Sequence, residues 1–242
     1  MAHGNVAEIV RLLGAMKKVD LTPMLENDMP RFPTHPPLVI NPTIHHAHDG
    51  YYCQSIFMAE HTGAHVDAPF HIHADKQGQT IEKAPVDSLI GRAVRIDLSD
   101  MNLGPGEFAS AKDFMDRETK QGAAIQKGDI VVVNFGWLKK TWSIPNWKQY
   151  ACNCPGLDES VAHYLMDKGI KALGADTIAV GTAIKDSVLA FCHIHALVLR
   201  SGVYLMECLV NLELLPPEFL FVALPLKIKD GSGSPIRALA YI

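Results

Sequence analysis

No stretch of this chain approaches the about 18 consecutive apolar residues that a membrane-spanning helix requires. Even the rich run FLFVALPLKI is short and interrupted by Pro225. Basic residues are not in excess, with 22 Lys plus Arg against 26 Asp plus Glu, a formal net charge of −4 and no Lys/Arg stripe. The electrostatic footprint of phosphate-backbone binding is missing, and nucleic acid is not an expected partner. Cysteines are few and odd in number. Cys53, Cys152, Cys154, Cys192 and Cys208 match neither the disulfide framework of a small secreted domain nor paired CxxC zinc knuckles. The opening MAHGNVAEIVRLLGAMKK lacks a basic flank before an apolar core and a small-residue cleavage site, so it does not read as a signal peptide. The expected address is cytoplasmic. No fixed-period repeat, low-complexity tract or linker interrupts the sequence, which is read as a single domain over residues 1–242. A chain of this length buries about 70% of its unfolded surface, so it needs no metal or disulfide merely to fold. Any metal has to be explained by chemistry.

What is present is a mixture of helix and strand patterns. A helix is predicted from about Val6 to Lys18, followed by a segment in which Pro30, Pro33, Pro36, Pro37 and Pro42 enforce loop or edge strand. Strand patterns follow over Tyr51 to Glu60, Ala93 to Leu98 and the β-branched run Ile130 to Phe135. A helix is predicted from Ser110 to Gln121, with Ser110 and Asp113 at capping spacing, and another from Leu157 to Lys168 with Gly169 as its stop. Ile170 to Val180 reads as strand and Asp186 to Arg200 as helix. Val203 to Leu209, Phe219 to Lys227 and Ile236 to Ile242 supply three more strand candidates. The fold class is therefore α/β or α+β, with strands dominant toward the C-terminus.

The 12 histidines are distributed unevenly, and many crowd between His35 and His73. Within HTGAHVDAPFH, the residues His61, His65, Asp67 and His71 share one parity, so an extended backbone would present them on one face. A straight strand holds residues four apart at about 13 Å, whereas a metal–nitrogen bond is only about 2.0–2.1 Å. His61 and His65 can meet at one ion only if the chain bends between them, and Gly63 stands where that bend is needed. An imidazole–imidazole–carboxylate set suits Zn²⁺, Mn²⁺ or Fe²⁺ and leaves positions for water. His71, following Pro69, is the first choice for a proton carrier. His73 and Asp75 continue the parity as alternatives for that role or as exposed residues.

The pattern HxGTHxDxPxH, met here at every fixed position except Ala64, resembles the cyclase-like metal-dependent hydrolases, which include bacterial kynurenine formamidase, isatin hydrolase and cyclic imide hydrolases. Ala64 stands where that pattern has threonine, so a hydroxyl is lost. The resemblance extends through Asp20-Leu21-Thr22, Pro30-Arg31-Phe32-Pro33, Val86 to Gly91, Cys154-Pro155-Gly156-Leu157, Gly174 to Thr177 and Gly231 to Arg237. It implies a second metal-binding half formed by a histidine and, twelve residues later, a glutamate opening an ENL-type strand. His195 and Glu207 have that spacing, with Cys208 in place of the asparagine. His193 competes with His195, but residues two apart on a helix point about 200° apart, so only one can face the site.

By that resemblance His61, His65 and Asp67 hold one ion, and Asp67 bridges to a second held by His195 and Glu207. The implied fold is the strand-rich swivelling β/β/α domain. The implied activity is hydrolysis of the C–N bond of a small amide, lactam or cyclic imide, with one or two Zn²⁺, or Mn²⁺, activating water and His71 passing a proton to the leaving nitrogen. A homodimer or homotetramer is implied as well. Phe32, Trp137 and Trp142 are candidate walls for a planar substrate. A metal-assisted cyclase or dehydratase is the alternative among enzymes. A degraded metal- or ligand-binding module is the alternative outside them, with Ala64 and Cys208 as its sequence hints. Gly231-Ser232-Gly233 lacks the lysine and helix start of a phosphate loop, so a nucleotide is not implied.

Overall fold

The computed structural model describes residues 5–181 and 191–242 and, between them, the backbone of Ile184–Lys185 and Val188–Leu189. Nine strands form one large sheet: β1 (Lys18–Asp20), β2 (His65–Asp67), β3 (Ile90–Asp97), β4 (Ile130–Asn134), β5 (Ala172–Ala175), β6 (Tyr204–Glu207), β7 (Glu218–Val222), β8 (Gly233–Pro235) and β9 (Leu239–Tyr241). Their spatial order is β1-β9-β7-β3-β4-β5-β6-β2-β8. The middle strands β3, β4, β5 and β6 run parallel, and the flanking pairs are antiparallel. This is the mixed, strand-rich α/β architecture expected from the sequence.

Burial of the parallel strands on both faces explains their unbroken apolar sequences. Val131 and Val133 point into a core shared with Phe114, Val161 and Leu165, whereas Ile130 and Val132 point into a second core with Val66, Met206 and Phe221. Each such side chain contributes about 1.5–3 kcal/mol by leaving water, so a charged residue on either face of β4 would break the sheet's centre. The helices α1 (Val6–Ala15), α2 (Ala111–Gln121), α3 (Glu159–Lys168) and α4 (His193–Arg200) complete the frame. α2 begins with the reciprocal capping box between Ser110 and Asp113, and α3 ends at Gly169 in the left-handed conformation. Among the described residues, no helix is long and apolar enough to cross a membrane.

Several predicted elements are shorter than their patterns, and three of them show why. α1 stops at Ala15 because Lys17 exchanges backbone hydrogen bonds with Ile242 and draws Lys18 into the sheet as the start of β1. The strand predicted to reach Val180 ends at Ala175. Beyond it Asp176 turns back to accept from the Phe135 amide, and Val180 takes a positive φ of 53°. The helix predicted from Asp186 begins only at His193. Val188–Leu189 pairs antiparallel with Ile184–Lys185, and Asp186 itself lies outside the described residues. Local pattern was overridden by tertiary contacts: strand pairing in the first and third cases and the Asp176 side-chain hydrogen bond in the second. The proline-rich segment does contain an edge strand, Val39–Ile44, which forms a hairpin with Cys53–Phe57 and leads the chain to His61.

Candidate metal centre

The HTGAHVDAPFH segment is extended and sharply bent. Gly63 has φ +65°, and a Cβ there would meet Leu25 Cδ2 at 2.9 Å and Met29 Cε at 3.3 Å. The left-handed turn favours glycine, and a Cβ would in addition oblige the Leu25 side-chain end to shift. The bend brings the rings of His61 and His65 to 5.2 Å between centroids. β2 then carries His65 and Asp67 on one face, and Pro69 opens a short 3₁₀ turn that ends at His71. The His71 ring returns to within 4.1 Å of His61 and 5.5 Å of His195.

Sheet register supplies the other half. β6 runs antiparallel to β2 with Glu207 opposite His65, so the two side chains project together and His65 Nε2 lies 3.3 Å from Glu207 Oε2. His65 Nδ1–H donates to the Gly63 carbonyl at 2.8 Å, which aims Nε2 at the carboxylates of Glu207 and, 3.5 Å away, Asp67. From α4, His195 places Nε2 3.1 Å from Asp67 Oδ2 and Nδ1 3.4 Å from Glu207 Oε1. His193 lies on the other side of the helix, exposed and paired with Glu159 at 2.8 Å, as the periodicity argument expected.

The cluster is deeply buried and its hydrogen bonding is incomplete. Asp67 is 0% exposed and Glu207 3%, yet Asp67 Oδ2, Glu207 Oε1 and His195 Nε2 have no well-directed hydrogen bond among the described residues, the 3.1 Å approach of His195 Nε2 to Asp67 Oδ2 being misaligned for one. Burial works against ionisation of Asp67, but the surrounding His71, His61 and His195 outweigh it and hold its carboxyl well below the usual range. Burial and the neighbouring Asp67 charge push Glu207 well above its ordinary value. His195 is disfavoured as a cation by burial, but Asp67 and Glu207 reverse the balance and raise its pKa. Two close acids and several imidazole nitrogens with unmet acceptor capacity fit a divalent cation of nitrogen and oxygen preference. The nitrogen and oxygen atoms of His65, Asp67 and Glu207, and separately of His61, Asp67 and His71, lie within 4.8 Å of one another.

The cluster forms the floor of a cavity of about 340 Å³, whose walls include Phe32, His35, Ile72, Ile178, Phe191 and Cys192. His71 opens onto it and is pushed down to about 3, by burial first and by the nearby imidazoles, despite Asp67. Phe32 is where the substrate-wall expectation placed it. Trp137 and Trp142 are not: Trp137 is core, donating its indole N–H to Tyr150 O, and Trp142 packs on the Tyr150 ring. Residues missed from the sequence are His35, Ile72, Ile178, Phe191 and Cys192; all but Ile178 lie within four residues of Phe32, His71 or His195 in the chain, and that nearness was the one hint of them.

The other flagged positions lie off the floor. His73 donates from Nε2 to Ala196 O at 2.8 Å and Asp75 pairs with Arg200, so neither replaces His71 at the cluster. Ala64 is buried in an apolar core, and Cys208 is buried in the other with φ +56°, a region where asparagine is more at ease. Neither side chain lines the cavity.

The chain is 26% identical over 228 residues to kynurenine formamidase of Bacillus thuringiensis (strain Al Hakam), covering 91% of this chain and 95% of that protein. It is 28% identical over 191 residues to isatin hydrolase of Roseibium aggregatum, covering 76% and 73% respectively. The solved structure of an isatin hydrolase bound to the product analogue thioisatinate superposes with a TM-score of 0.86 at 26% identity, over 100% of this chain and 99% of that one. Residues 19–182 match the family described as "Putative cyclase", about two thirds of the sequence, and the chain belongs to that cyclase family.

Proposed function

We propose that this chain is a metal-dependent hydrolase that opens the C–N bond of a small amide, lactam or cyclic imide. The observation that carries the reading is the under-satisfied cluster of acids and imidazoles on the floor of a cavity of about 340 Å³. That volume lies toward the small end of ligand sites of about 300–1,000 Å³. The relatives' names point to a formamide for kynurenine formamidase and to isatin for isatin hydrolase.

His61, His65, Asp67, His195 and Glu207 would hold one or two ions, Zn²⁺ or Mn²⁺. When bound, such an ion lowers the pKa of water toward neutrality and polarises a carbonyl oxygen. Phe32 and Phe191 border the space a planar substrate would fill, and burial of the floor excludes bulk water. His71 faces that space as a neutral imidazole and takes the proton released when water attacks the carbonyl carbon. It returns that proton to the departing nitrogen as the C–N bond breaks, so an open-chain amide yields a carboxylic acid and an amine, a lactam a single ring-opened amino acid, and a cyclic imide an acid that retains one amide. The protein acts as a homodimer or homotetramer in the cytoplasm, with the whole chain as one catalytic unit.

The description of the family as a cyclase favours one competing reading, in which the same groups close or dehydrate a substrate without consuming water. The test is a panel of aryl formamides, isatin-like lactams and cyclic imides, run in H₂¹⁸O with metal analysis. The expected result is one or two equivalents of Zn or Mn, turnover of at least one panel member, ¹⁸O in the acid product and loss of turnover with chelator. Turnover lacking ¹⁸O would favour the cyclase, and stoichiometric metal with no turnover would make the site a binding module.

A further inference from the structure

The contacts around His61 can each be given a direction from the chemistry of the partners. Glu60 Oε2 lies 2.7 Å from the Ser232 amide, 2.8 Å from Ser232 Oγ and 3.0 Å from the Gly233 amide. A carboxylate only accepts, so the single hydroxyl proton of Ser232 is directed at Glu60. Ser232 Oγ also lies 2.8 Å from His61 Nε2. Having used its proton, that oxygen can only accept, which places a proton on Nε2.

The opposite nitrogen is then determined. His61 Nδ1 faces Asp67 Oδ1 at 2.6 Å. With Nε2 carrying the proton, Nδ1 turns its lone pair toward a carboxylate oxygen, and two acceptors at that distance need a proton or a metal ion between them. His65 is fixed in the opposite sense, because its Nδ1–H is held by the Gly63 carbonyl and its Nε2 is bare. Gly233 keeps the relay close: a Cβ there would lie 2.5 Å from His61 Cε1, and the residue sits opposite Asp67 in the β8–β2 pairing. The Gly231-Ser232-Gly233 run therefore has a local reason that its resemblance to a phosphate loop did not provide.

We propose that Glu60 and Ser232 are positioning residues of the metal centre. They form a carboxylate–hydroxyl relay that holds His61 as its Nε2–H tautomer and presents Nδ1 to the ion, while His65 presents Nε2. The inference rests on the metal-centre reading given above. Outer partners of this kind typically change metal affinity by about 10–100-fold when removed.

The test uses zinc alone. Apo wild type, Ser232→Ala and Glu60→Gln are titrated with Zn²⁺ against a chromophoric chelator, and zinc-loaded wild type labelled with ¹⁵N-histidine is examined by NMR. The expected result is a loss of about 10–100-fold in zinc affinity in both variants, with His61 showing a protonated Nε2 and a metal-bound Nδ1 in wild type. Wild-type affinity in both variants, or coordination of His61 through Nε2, overturns the relay and leaves the metal centre standing. A wild type that binds no zinc overturns both. If either variant fails to fold, the tautomer observed in wild type decides alone.

Discussion

The floor and the rim of the cavity are built in different ways. On the floor, His65, Asp67 and Glu207 stand on paired strands whose register sets their spacing, and His195 is carried by a helix packed on the same sheet. The rim is assembled from loops: Phe32 and His35 from the proline-rich segment, Ile72 beyond the 3₁₀ turn, and Phe191, which is 70% exposed. A group that must meet an ion needs placement to a fraction of an ångström, and strands and helices provide it. A group that only borders a substrate can vary on a loop without disturbing the scaffold. The floor therefore determines which bond is attacked, and the rim determines which molecule is admitted.

Breaking the floor should have the largest effect. His65→Ala removes an imidazole fixed between Gly63 O and the two carboxylates, and leaves Asp67 and Glu207 facing each other with less to offset their repulsion. Metal content by atomic emission should fall below stoichiometric and turnover should drop to the chelated background, a loss of several kcal/mol in transition-state stabilisation. Full metal content in this variant would show that the floor is not the metal centre. Glu207→Gln should behave alike, because the amide keeps the volume but not the charge.

His71 lies where floor and rim meet, and replacing it sharpens the comparison. His71→Ala should retain stoichiometric metal and lose about 10²–10⁴-fold in kcat, the usual range for a positioned acid–base group. Metal loss equal to that of His65→Ala would instead make His71 a ligand. The sign of the pH dependence is fixed by its environment. Burial and neighbouring imidazoles push its pKa down to about 3, so the neutral, proton-accepting form persists as pH falls through the ordinary histidine range. In wild type the acid limb of kcat/KM should consequently show no inflection near pH 6.5 from this residue. An inflection there that His71→Ala abolishes would show that His71 titrates in the ordinary histidine range and overturn the lowered pKa, while leaving its acid–base role in place.

The same division explains what was legible in the sequence. The floor could be read because its chemistry is concentrated: four residues of one parity, a glycine at the required bend, and a histidine and glutamate at fixed spacing. Helix periodicity required that only one of His193 and His195 face the site, and the twelve-residue spacing to Glu207 implied by the family resemblance favoured His195. Strong patterns such as the capped α2 and the β-branched β4 were also legible. What was not legible depended on pairing between distant segments: the early end of α1 against Ile242, the late start of α4, and the return of Ser232 onto His61 across 171 positions of sequence. Aromatic composition was a poor guide to the rim. Trp137 and Trp142 satisfy Tyr150 and the core, whereas Phe191 reaches the cavity from the stretch just before α4, which the sequence pattern had assigned to helix.

Altering the rim should produce the smallest effect and the clearest contrast. Phe32 touches His35 ring to ring at 5.3 Å and borders the cavity without approaching the carboxylates as an ion pair or hydrogen-bond partner. Phe32→Ala removes apolar contact that a bound aromatic substrate feels equally before and during the reaction. Such uniform binding appears in KM and leaves kcat nearly unchanged. With the best substrate of the panel, KM should rise about 10-fold, corresponding to about 1.4 kcal/mol, while metal content stays at wild-type level. The loss should shrink for a substrate of the same bond type that lacks the ring, because there is less apolar surface to miss. A fall in kcat of the size expected for His71→Ala would place Phe32 in the reaction itself and remove the boundary between floor and rim.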